Sequence, residues 1–127
     1  KEVAILSFGA LLGEAMEAAE QLDATLINMR FIKPIDRKMI EKMARTHEHI
    51  ITIEDNVIQG GAGSHVNEVL HQLKLHTPVL NLGLPDIFQD HGSREELLSE
   101  AGLTAEMMLQ KINQFIKKTP NTKVFSL

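Results

Sequence analysis

Four short runs of nearly continuous apolar residues punctuate the chain: Val3 to Phe8, Thr25 to Met29, Ile50 to Ile53 and Val79 to Leu82. A strand with one wet face alternates apolar and polar positions, so unbroken runs predict strands covered on both faces. Between the runs, apolar residues recur at helical spacing. Leu12, Ala15, Ala19 and Leu22 mark a first helix, and Met39, Ile40, Met43 and Ala44 a second. Val66, Val69, Leu70 and Leu73 mark a third, on the i, i+3, i+4, i+7 pattern of one helix face. Strands alternating with helices through short connections predict parallel strands joined by right-handed crossovers. The expected fold is therefore a three-layer α/β/α domain with a mainly parallel four-stranded sheet.

Helix ends are well marked. Asp36, after Pro34, is a candidate cap for the second helix. Ser93 with Glu96 reads as a capping box, and Gly102 stands where that short helix should stop. Thr104 is placed to cap the last helix, whose apolar stripe is Met108, Ile112, Phe115 and Ile116. Leu103 and Met108 are spaced as a hydrophobic staple across that cap. The pattern predicts one domain over residues 1–118 and a tail over 119–127, in which Val124 and Phe125 are candidates to dock onto the body.

Composition narrows the function. The 127 residues fit one domain, and 13 basic against 17 acidic residues leave a net charge of −4. That balance offers no basic excess for a nucleic acid. The absence of Trp and Tyr leaves few stacking platforms, and zero Cys excludes disulfides, thiolate metal sites and a cysteine nucleophile. No apolar run approaches the ~20 residues of a membrane-spanning helix, and the first residues do not read as a signal peptide. Lys1 is neither Met nor the start of a leader, which predicts a piece of a longer protein.

The segment with most chemical promise runs Glu54-Asp55-Asn56, then Gly60-Gly61-Ala62-Gly63-Ser64, from the third strand into the third helix. Ligands of open α/β sheets gather at the carboxyl ends of strands, and helix N-termini attract anions. The spacing fits neither phosphate motif, however. A dinucleotide fingerprint needs glycine where Val66 stands, and a P-loop needs Lys where Ser64 stands, after Gly63. The favoured reading is that the glycines let the helix start approach a neighbouring backbone, that of another domain being one candidate. His47, His49, His65, His71 and His76 lack metal-ligand spacing and read as solvated. His91, with Asp86 and Asp90, suits either an acid/base cluster or a hydrogen-bonded turn. Ser7, Ser64 and Ser93 lack a nucleophile-elbow context. Arg30 and Lys33 are expected to pair with acids such as Asp36.

Four segments carry a resemblance: Ile5-Leu6-Ser7-Phe8-Gly9; Met29-Arg30-Phe31-Ile32-Lys33-Pro34-Ile35-Asp36; the Glu54 to Ser64 segment with Val66-Asn67-Glu68; and Leu82-Gly83-Leu84-Pro85-Asp86-Ile87-Phe88 with His91-Gly92-Ser93 and Gly102-Leu103-Thr104-Ala105-Glu106. From Val3 to about Lys117 the chain resembles the C-terminal domain of the 1-deoxy-D-xylulose-5-phosphate synthases, thiamine-diphosphate enzymes of the transketolase family. The last segment is the most specific to the synthases, whereas the first three are shared with transketolases and with 2-oxoacid dehydrogenase beta subunits.

The resemblance implies a doubly wound sheet in the order 2-1-3-4, packed on the remaining domains of a cytoplasmic homodimer. It implies that an antiparallel strand precedes Lys1, whose absence would leave a sheet edge open to another copy. The whole enzyme would join pyruvate to glyceraldehyde 3-phosphate with loss of carbon dioxide, in isoprenoid, thiamine and pyridoxine precursor synthesis. Thiamine diphosphate and Mg²⁺ would be held by other domains, since the Gly-Asp-Gly metal motif is missing here. No catalytic, cofactor or metal residue is assigned to this chain. Glu54, Asp55, Asn56, Gly60, Gly61, Gly63 and Ser64 are the candidate interdomain or dimer loop. Two alternatives remain: the matching domain of a transketolase or 2-oxoacid dehydrogenase beta subunit, and a free-standing anion-binding module.

Overall fold

The computed structural model describes residues 2–9, 11–29, 37–57, 61–84, 96, 98–99 and 102–119, with only the backbone described at 55–57 and 84. The apolar runs form the strands β1 (Val3–Phe8), β2 (Thr25–Asn28), β3 (His49–Val57) and β4 (Val79–Leu84). The helical patterns form α1 (Leu12–Leu22), α2 (Arg37–Thr46), α3 (Ala62–Gln72) and α4 (Ala105–Lys118). The sheet has the expected order β2-β1-β3-β4 with every pairing parallel. Several bounds differ from expectation: β2 ends one residue earlier, β3 begins one residue earlier, β4 runs two residues further, and the end of β3 moves most. β3 continues past Ile53 through Glu54, Asp55 and Asn56 to Val57, and its register on β4 shifts between Ile53 and Val57. The irregularity takes up the extra residues, so the acidic pair lies within the strand rather than beyond it.

Side chains of the central strands alternate between two cores, which explains the unbroken apolar runs. Val3, Ile5, Ile51, Ile53 and Leu82 face α1 and α4, where Ala15, Ala19, Met108 and Ile112 are buried against them. Ala4, Leu6 and Ile50 face α2 and α3, meeting Ile40, Met43, Val66, Val69 and Leu70. Burying one such Leu, Ile or Val contributes about 1.5–3 kcal/mol.

The last helix behaves as its sequence predicts. Thr104 Oγ1 accepts the Met107 N–H at 3.2 Å, and Leu103 and Met108 are both fully buried in the same core. Gly102 has φ +72°, its N–H bonds to Ser99 O, and the Leu103 N–H bonds to Leu98 O. This is the paired closure of a left-handed helix end. α1 and α3 close the same way with Asp23 (φ 51°) and Lys74 (φ 58°), residues that pay a steric cost there. The proposed caps Asp36 and Ser93 lie outside the described residues.

Candidate functional site

The strand order reverses between β1 and β3, so their carboxyl ends bracket the position where doubly wound sheets hold ligands. Phe8 pairs with Glu54 at this end of the sheet, and α3 begins beside them. Gly61 is the N-cap of α3 and makes no side-chain cap hydrogen bond. An acceptor comes instead from the neighbouring strand: Glu54 Oε2 accepts the Gly63 N–H at 2.9 Å. Glu54 is only 2% exposed and is the only buried carboxyl side chain among the described residues. Its position suits the positive end of the helix dipole.

The reason for glycine at 63 is steric. A Cβ there would lie 2.7 Å from Thr52 Oγ1 and 2.8 Å from Asn81 Oδ1. Those two atoms are themselves joined, Thr52 Oγ1 donating to Asn81 Oδ1 at 2.6 Å. The first turn of α3 thus sits directly on a polar pair shared by β3 and β4. This close approach is internal to the domain, whereas the sequence also left open an approach to another domain. Sequence reasoning passed over the Thr52–Asn81 pair. Its signal was the single polar residue breaking each of two apolar runs, Ile-Ile-Thr-Ile and Val-Leu-Asn-Leu.

Of the seven candidate residues, the structure brings together Glu54, Gly61, Gly63 and the half-buried Ser64 at the start of α3. Asp55 and Asn56 have described backbone in β3, and Gly60 lies outside the described residues. So do His91, Asp86, Asp90, Ser93, Arg30 and Lys33. Ser7 is fully buried, which denies substrate access to its hydroxyl.

Two histidine readings need correction. His65, His71 and His76 are exposed as expected, but His47 and His49 are 6% and 3% exposed. His47 Nδ1 lies 3.1 Å from Met43 O and its Nε2 2.9 Å from Thr25 Oγ1, which ties the end of α2 to β2. His49 Nε2 donates to Thr119 O at 2.6 Å, and the ring meets Phe115 edge-on at 5.7 Å. Each ring is buried because it satisfies backbone at a helix end. Among the described residues no group of three His, Cys, Asp or Glu converges on one point.

Fold and site together define a doubly wound α/β domain in which Gly63, at the start of α3, serves helix–sheet packing. The model of the transketolase C-terminal domain family matches residues 1–108, and the chain belongs to that family. Its relatives sharpen the assignment. It is 54% identical over 119 residues to a 1-deoxy-D-xylulose-5-phosphate synthase of Thioalkalivibrio sulfidiphilus, covering 94% of this chain and 19% of that protein. The synthase of Nitrosococcus oceani is 50% identical over 121 residues, covering 95% of this chain and again 19% of that protein. The chain therefore spans about one-fifth of the length of these curated relatives. A solved structure described as a split-gene transketolase in an inactive β4 tetramer superposes with a TM-score of 0.82 at 32% identity. That match covers 92% of this chain and 40% of the other.

Proposed function

We propose that this chain is the structural and assembly domain of a 1-deoxy-D-xylulose-5-phosphate synthase, carrying none of its reaction chemistry. The observation that supports this most is 54% identity across nearly the whole chain to a protein of which it covers 19%. In the complete enzyme, pyruvate and glyceraldehyde 3-phosphate are joined with loss of carbon dioxide, at a thiamine diphosphate and Mg²⁺ centre in the other domains. The residues present here do not fit that cofactor. The one buried carboxyl group among the described residues, Glu54, is engaged by the Gly63 N–H, and no Gly-Asp-Gly motif occurs.

The segment Glu54, Asp55, Asn56, Gly60, Gly61, Gly63 and Ser64 is the proposed contact with neighbouring domains or with the second subunit of a cytoplasmic homodimer. The domain itself is proposed to span residues 1–118. Glu54 and Gly63 fix the start of α3 from inside, which leaves Gly61 to meet a neighbour. The anion-binding alternative is disfavoured, because the Glu54 carboxyl group already occupies the pole of α3 that a phosphate would need. A full-length enzyme carrying Gly61→Val tests the assignment. The expected result is a weakened dimer or lost activity, read by sedimentation and turnover. Unchanged values in both would remove the loop from assembly.

A further inference from the structure

His49 is a buried titratable side chain that the assembly reading leaves unused. It opens β3 beside Val3 of β1 and shares a sheet face with Ile51 and Ile53, so strand alternation turns its ring towards α4. The ring is 3% exposed and meets Phe115 edge-on. A carbonyl only accepts, so the 2.6 Å contact with Thr119 O fixes a proton on Nε2. Thr119 in turn closes α4, its N–H and its hydroxyl both donating to Phe115 O, at 3.0 and 2.6 Å. The imidazole therefore fastens the end of α4 to the start of β3.

The other ring nitrogen decides how that fastening responds to acid. Nδ1 is buried and has no hydrogen-bond partner. A bare lone pair is tolerated there, whereas a second proton would create a charged donor with nothing to receive it. The charged and titratable groups on the surrounding elements are Glu2 ahead of β1, Glu48 beside His49, His76 ahead of β4, and Lys117 and Lys118 on α4. All five are exposed, and neither carboxylate supplies Nδ1 with an acceptor. His47 is the contrast. The Thr46 hydroxyl already donates to Lys42 O, so His47 Nδ1 carries the proton towards Thr46 Oγ1 and Met43 O, and Nε2 accepts from the Thr25 hydroxyl. When His47 gains a proton, the Thr25 hydroxyl turns from donor to acceptor and both nitrogens keep their partners.

We propose that His49 is an acid-sensitive latch: a proton taken up at Nδ1 releases the end of α4 from the sheet, and its loss fastens the helix again. The released turn would loosen Phe115 and Ile116 from the core they cover. Amide exchange of the 127-residue chain tests this, followed by NMR and expressed as protection so that the intrinsic pH dependence of exchange cancels. Histidine side chains gain their proton between about pH 7.5 and about pH 5.5. Over that range protection of residues 116–119 is expected to fall about tenfold, the scale of one unsatisfied buried donor. Protection of Val66, Val69 and Leu70 in α3 should hold. His49→Gln, which can donate but not titrate, should remove the fall, and His47→Gln should leave it in place. The parent chain and His47→Gln decide the matter even if His49→Gln fails to fold. Protection at 116–119 that ignores pH would overturn the proposal. So would a fall that persists in His49→Gln, vanishes in His47→Gln or is shared equally by α3, since acid would then act elsewhere or on the whole domain. None of these outcomes bears on the assembly reading, which the Gly61 variant tests separately.

Discussion

The two ends of the sheet bury polar groups for different purposes. At the amino end, His47 and His49 act as fasteners: each ring bonds across elements, one to Thr25 and the other to the last carbonyl of the α4 region. At the carboxyl end, Thr52, Asn81, Glu54 and Gly63 form a seat that sets how closely α3 approaches the sheet. A fastener tolerates change if its bonds are replaced. A seat does not, because its function is the absence of a side chain.

Substitutions separate the two cases by size of effect. Gly63→Val should be the most damaging, because even its Cβ would stand below 3 Å from both Thr52 Oγ1 and Asn81 Oδ1. Overpacking of this kind costs about 1–3 kcal/mol or more, and urea unfolding would read it. A loss near zero would mean that α3 is not seated as described. His49→Phe keeps an aromatic ring against Phe115 but loses the bond to Thr119. It should cost about 1 kcal/mol and speed amide exchange at the end of α4 while sparing α3. Lys74→Gly should act in the opposite sense. Lys74 ends α3 in the left-handed region, where a Cβ costs about 1–2 kcal/mol. A small gain in unfolding midpoint is expected, and a decrease would show that the Lys74 side chain contributes more than its backbone strain costs.

Much of the fold was legible because several signals agreed. The apolar runs marked strands buried on both faces, and Thr104, Gly102 and the Leu103–Met108 pair marked helix ends that the structure reproduces. The bend in β3 was not legible, since two acidic residues and an asparagine read as loop until the bulge keeps them in the strand. The buried histidines were misread for a related reason. His49 bonds to a carbonyl 70 positions away and His47, besides its local bond to Met43, to Thr25 at 22 positions, and no local pattern carries those distant partners. At the candidate site, the glycines stood out in the sequence but the residue they make room for did not. Thr52 and Asn81 meet only once β3 and β4 are paired.

The central claim is that this domain braces an enzyme whose cofactor is held elsewhere. Calorimetric titration of the 127-residue chain with thiamine diphosphate in the presence of Mg²⁺ tests it most directly. The account predicts no saturable heat. A saturable isotherm with a defined stoichiometry would contradict it and return the carboxyl end of the sheet to the list of cofactor sites.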